Sequence, residues 1–206
     1  MIDDGARDEE LFLGFDARRP PSEIRAQWPL SRRRKALLRL DVTAPVSVDY
    51  LVWPSAWPLD FTILDWRGPV QGLWDNEARL KSRLASVPGR WWVVAVVLEW
   101  WSVPLDAAED WRQRTTELED GTEWRRWKPI GYDVADRFLT SGMLWFRPGE
   151  DPEALRTEWG HHLTKRHLFS QRESAARFQD FSNKRAPEHA PYFVYRLFRS
   201  GQPAAD

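Results

Sequence analysis

The sequence contains no cysteine. That excludes disulfides, thiolate nucleophiles and Cys-based zinc sites together, and it fits a protein kept in a reducing compartment. Charge of one sign is missing as well: thirty basic residues face thirty-one acidic ones, for a formal net charge of -1. Without a global field to attract polyanions or an anionic bilayer, neither a nucleic-acid partner nor a membrane partner is expected. No apolar run approaches the roughly 20 residues of a membrane span. The first ten residues are acidic and lack the basic-then-apolar form of a secretory signal, so the expected location is the cytoplasm. Catalytic signatures are absent too. Ser141 precedes Gly142 but follows Leu139-Thr140, so no Gly-x-Ser-x-Gly elbow exists. No Gly-rich run joins a strand to a helix, which excludes phosphate loops. His161, His162 and His167 lack the i, i+4 spacing of a helical zinc pair. No metal and no cofactor are expected.

What the chain has in excess is tryptophan, fourteen in 206 residues. An indole brings a large apolar surface and one N–H that seeks an acceptor, so these residues either pack a core or serve as contacts. Residues 91–101 read Trp-Trp-Val-Val-Ala-Val-Val-Leu-Glu-Trp-Trp. Strand side chains alternate between faces, which puts Val93, Ala95, Val97 and Glu99 on one side and Val94, Val96 and Leu98 on the other. Both sides are apolar, so this strand belongs at the centre of a sheet covered on both faces. Glu99 stands either at the strand's solvent end, which is the commoner case, or as a buried carboxylate that needs a partner.

Around that strand, residues 11–15, 36–42, 46–53, 61–66, 124–132 and 192–198 have strand character, the fifth broken at Lys128-Pro129. Asp75 is a candidate cap for a helix to about residue 87, and Asp106 opens another to about residue 119. Asp133 is expected to cap a short helix that stops at Gly142. Pro152 sits at the first position of a helix with Leu155, Trp159 and His162 inward. Ser170 and Glu173 have the spacing of a capping box for a last helix with Ala175, Phe178 and Phe181 inward. The segment 32–35 of four cations leads into a strand and reads as a solvated strand entry. No internal repeat, low-complexity tract or linker is visible. The expected architecture is α+β: one domain over residues 1–206 with frayed ends at 1–10 and 200–206, and a mostly antiparallel sheet whose central apolar strand is covered by helices.

Two groups of residues are candidates for contact with a partner. Trp53, Trp57 and Trp66 flank loops near Asp60 and Asp65, and aromatics so placed suit recognition. Tyr132, Asp133 and Asp136 form a second patch. The stretch Lys128-Pro129-Ile130-Gly131-Tyr132-Asp133-Val134-Ala135-Asp136 through Ser141-Gly142, a Trp-bearing helix, His167-Leu168-Phe169 and then residues 187–195, Pro-Glu-His-Ala-Pro-Tyr-Phe-Val-Tyr, resembles immunity proteins of bacterial polymorphic toxin systems. The resemblance covers about a third of the chain. It implies a non-enzymatic protein that neutralises a cognate toxin domain by binding it, and it carries no catalytic residues. Two other readings stand beside it. One is an enzyme acting on a small molecule or carbohydrate with Glu99 and Asp133 or Asp136 as paired carboxylates; the other is a structural or adaptor subunit of a secretion or phage-like assembly.

Overall fold

A computed structural model describes residues 10–18, 73–85, 92–116, 118, 122–139, 141–143, 151–164 and 168–201. The expected strands at 36–42, 46–53 and 61–66 and the 32–35 cation run lie outside them. The described elements are β1 (Glu10–Arg18), α1 (Glu77–Leu84), β2 (Trp92–Glu99), α2 (Leu105–Thr115), β3 (Lys128–Ala135), α3 (Pro152–Trp159), α4 (Arg172–Arg185) and β4 (Phe193–Arg199), with short 3-10 turns at Trp100–Ser102, Thr122–Arg126 and Gly160–His162. The strands form one antiparallel sheet in the order β1-β2-β4-β3. The α+β class, the antiparallel sheet and the central position of β2 are as expected.

β2 is apolar on both sides because both sides are covered. Its back face, Val94, Val96 and Leu98, packs with Leu13, Ile130, Leu197 and Tyr195 under Trp111 of α2. The Trp111 ring meets Phe193 edge-on at 5.3 Å. The front face, Val93, Ala95 and Val97, packs with Phe12, Phe15, Phe198 and Trp124 beneath Leu80 and Leu84 of α1. Farther along the front, Val134 and Val194 lie under Ala175 and Phe178 of α4 and the Trp159 ring. Each fully buried Val, Leu or Phe contributes about 1.5–3 kcal/mol, so these three clusters are the main support of the fold.

Several local expectations are corrected. β3 runs on to Ala135, so Asp133 is a strand residue, and the described residues 136–139 form a turn where a helix was expected; its carboxylate accepts the Val134 N–H at 2.8 Å. Asn76, not Asp75, caps α1, accepting the Arg79 N–H at 3.1 Å. α4 begins after Gln171 with no side-chain cap, because the Ser170 hydroxyl donates back to the His162 carbonyl at 3.2 Å.

The sheet also contains a repeat that the sequence pattern does not reveal. Gly14 pairs with Val96, Phe15 with Ala95 and Asp16 with Val94. Correspondingly, Gly131 pairs with Leu197, Tyr132 with Arg196 and Asp133 with Tyr195. Exchanging β1 with β3 and β2 with β4 preserves these pairings, and it preserves the β2–β4 ladder, which centres on Val96 opposite Leu197. Both outer strands carry a bulge at the same place, between Phe12 and Gly14 and between Pro129 and Gly131, and both glycines have φ +138°. The next residue in each is bridged by backbone from outside the sheet, Phe15 by Trp74 and Tyr132 by Phe169. At the same spacing beyond each bridge a helix begins, α1 at Glu77 and α4 at Arg172. Two β-α-β units related by a pseudo-twofold axis therefore build the sheet, and α2 joins them across its back. The bulges also put Phe12 and Phe15 on one face, with ring centroids 4.9 Å apart, where strict alternation would separate them. The outside bridges cover part of each edge strand and so reduce its capacity to pair with other chains.

Candidate functional site

Near the end of β2 the front face turns from apolar to charged. Glu99 continues the row of Val93, Ala95 and Val97, and at 6% exposed it takes the second of its two expected places, a buried carboxylate and not a solvated strand end. Its Oε2 accepts the Trp101 indole N–H at 2.7 Å, because the 3-10 turn folds Trp101 back over the strand end. Arg172, the first residue of α4, holds its Nε 3.9 Å from the same oxygen and its guanidinium 4.7 Å above the Trp101 ring. Burial raises the Glu99 carboxyl above its ordinary value, against the lowering effect of the Trp101 hydrogen bond; Glu10 adds to the rise, and Arg172 and Arg196 oppose it.

The neighbouring strands complete the cluster. Glu10 lies opposite Glu99 in the β1–β2 register, and Arg196 lies opposite both Val97 and Tyr132. Arg196 donates to Glu10 Oε1 at 2.6 Å and spreads over the rings of Tyr132 at 5.6 Å and Phe198 at 5.0 Å. Burial also raises the Tyr132 hydroxyl above its ordinary value, with Arg196 pulling it down and Glu99 pushing it up. Two acids, two arginines and two aromatics thus meet on one sheet face, and Arg196, Glu10 and Arg172 each keep part of their surface in water. An arrangement of this kind offers donors, acceptors and ring faces to a partner.

Of the residues singled out from sequence, Trp53, Trp57, Asp60, Asp65 and Trp66 lie outside the described residues. Tyr132 belongs to the cluster. Asp133 and Asp136 do not, and they are buried. Asp133 shares the back face with Tyr195, and its Oδ1 accepts the Ser141 hydroxyl at 2.7 Å. Asp136 takes the Phe138 N–H at 2.8 Å, lies 3.3 Å from His189 Nδ1, and has its carbonyl bound by the Tyr195 hydroxyl at 3.0 Å. Their shared work is to pin the turn after β3, where Leu139 adopts φ +63°, onto the strands. Burial, reinforced by Asp136 and Asp133, drives the Tyr195 hydroxyl well above its ordinary value. Glu99 and Asp133 point from opposite sheet faces, so these two carboxylates do not form a pair.

Sequence reasoning missed Glu10, Trp101, Arg172 and Arg196. Arg196 had a signal: a lone cation inside the apolar run 192–198. Glu10 and Arg172 had none, since each is one charge among many near an element's start. His162 has its Nδ1 3.1 Å from Ser174 Oγ and its ring 3.9 Å from that of His161; partial burial and the neighbouring His161 and Arg177 lower its proton affinity. Among the described residues, no group of three His, Asp or Glu could hold a metal ion, and no helix is long and apolar enough to cross a membrane. Comparison of the chain with protein-family models, with curated proteins and with solved structures finds no match.

Proposed function

We propose that the protein works by binding another protein, and that it is an immunity protein whose partner is a toxin domain in the cytoplasm. The observation that carries the binding reading is the cluster of Glu10, Glu99, Trp101, Tyr132, Arg172 and Arg196 on the front face. Arg, Trp and Tyr are the residue types that dominate binding energy in protein interfaces, and here they are held in place by one another and by rigid strands. Pre-formed ion pairs reduce the entropy lost when a partner docks. The toxin as partner is supported by the resemblance, whose two main stretches, 128–142 and 187–195, meet where β3 pairs with β4. The segment with Trp53, Trp57, Asp60, Asp65 and Trp66, expected from sequence as a contact region, belongs to the same proposal.

The test is coexpression with the C-terminal domain encoded by the adjacent gene in a cell that this domain kills. Survival, and copurification of the two chains, is the expected result. If the neighbour kills and this protein neither rescues the cell nor binds it, the toxin reading fails.

A further inference from the structure

The pseudo-twofold exchange maps one end of the front face onto the other, and the two ends are filled differently. At the first end stand Phe15, Ala95 and Trp127; at the second, in the equivalent positions, stand Tyr132, Arg196 and Glu10. Glu77 opens α1 where Arg172 opens α4, and Ser200 takes the place equivalent to Glu99. The first end is closed by aromatic packing, with Phe15 and Trp127 ring centroids 5.6 Å apart and Phe12 stacked on Trp124 at 5.7 Å. The same backbone frame therefore closes on aromatic rings where the other end has Tyr132, Arg196 and Glu10. Replacing well-packed apolar groups by buried or half-buried ion pairs is often neutral or destabilising, so stability does not account for the charged end.

We propose that the charged end is a ligand site for a neutral group with a hydrogen-bond donor and acceptor side by side, a carboxamide or peptide group presented by the protein partner. This rests on the reading that the partner is a protein. The chemistry follows from what the cluster leaves unused among the described residues. Glu99 Oε2 is taken by Trp101, the only hydrogen bond that the carboxylate accepts, which leaves Oε1 open. The Tyr132 hydroxyl forms none, and the Arg196 guanidinium forms none beyond its bond to Glu10. An N–H of the incoming group reaches a carboxylate oxygen, and its C=O is met by a phenol or a guanidinium. Glu10 is paired with Arg196 and Glu99 lies near Arg172, so with both acids ionised the four charges cancel. A partner cation would meet two arginines and a partner anion two carboxylates, whereas a neutral dipole meets neither repulsion.

The Trp101 indole N–H, bonded to Glu99, is a built-in reporter. The full-length ¹⁵N-labelled protein is titrated with N-acetyl-asparagine methylamide, acetate and methylguanidinium, with the indole signal assigned by its loss in Trp101→Phe. The amide should move that signal saturably, and raising salt from ~50 to ~500 mM should leave the midpoint within about twofold, as screening hardly touches a neutral ligand. Glu99→Leu should abolish the response while the other indole signals stay dispersed; if it fails to fold, Glu99→Gln should weaken binding at least about tenfold, a loss of about 1.4 kcal/mol. No shift with the amide, or a larger shift with either ion, overturns the proposal. The titration needs no toxin, so its failure is separable from failure to rescue cells.

Discussion

Replacing Gly14 and Gly131 by alanine tests the duplicated architecture at its two hinges. At φ +138° an L residue is strained by about 1–3 kcal/mol. A Cβ at Gly14 would also lie 2.7 Å from the Trp74 carbonyl oxygen and 2.9 Å from Leu73 Cβ. At Gly131 it would lie 2.7 Å from Leu168 Cβ and 2.8 Å from the Phe169 carbonyl oxygen. These atoms belong to backbone, or to side chains buried against it, and cannot swing away, so overpacking adds about 1–3 kcal/mol. Each variant should therefore lose roughly 2–6 kcal/mol, a large share of the about 5–15 kcal/mol typical of a domain. Gly160, with no atom within 4 Å of a built Cβ, is the control and should change by less than about 0.5 kcal/mol. Urea denaturation followed by tryptophan fluorescence reads all three. A loss under about 1 kcal/mol at either bulge, or a large loss at one with none at the other, would refute the equivalence of the two units.

Three further outcomes are expected. Because Glu99 is raised from 4.5, the folded chain binds its proton more tightly than the unfolded chain, so this group's contribution to stability is fully present below 4.5 and is lost as pH rises through the folded value. Melting temperatures across that range should show the decline in wild type and not in Glu99→Gln; parallel curves would argue against the buried carboxylate. Ser141→Ala strips a donor from the buried Asp133 carboxylate and should cost about 1–3 kcal/mol in denaturant titration, with no effect expected if the turn after β3 is held from elsewhere. Tyr195→Phe removes the bond to the Asp136 carbonyl and should cost about 1–2 kcal/mol, again read by denaturant titration.

The parts of the fold that follow from side-chain period were legible. β2 declared itself by being apolar at every position before Glu99, and α3 and α4 by the spacing of Leu155 and Trp159 and of Ala175 and Phe178. What was not legible depends on backbone geometry or on long-range pairing. Asp133 has the residue type of a helix cap, and only the ladder to Tyr195 makes it a strand residue. The repeat was hidden because its shared residues are few, Leu13-Gly14-Phe15-Asp16 against Ile130-Gly131-Tyr132-Asp133, and because chains of different length separate each strand from its bridge. The charged cluster gathers Glu10, Glu99, Tyr132, Arg172 and Arg196 from across the chain, and no local pattern records that meeting. Glu99 was visible as an anomaly in an apolar strand, but burial beside Trp101 depends on the turn that follows it.

The most direct test of the central claim is to give the charged end the residues of its apolar counterpart. Tyr132→Phe combined with Arg196→Ala installs the residue types of Phe15 and Ala95, and Glu10, which remains partly in water, tolerates the loss of its partner. The double variant, coexpressed with the toxin domain proposed as the partner, should fold with a melting temperature within a few degrees of wild type. It should nonetheless bind the partner at least about tenfold more weakly and fail to protect the cell. A folded double variant that protects and binds as well as wild type would contradict the assignment of this cluster as the binding site.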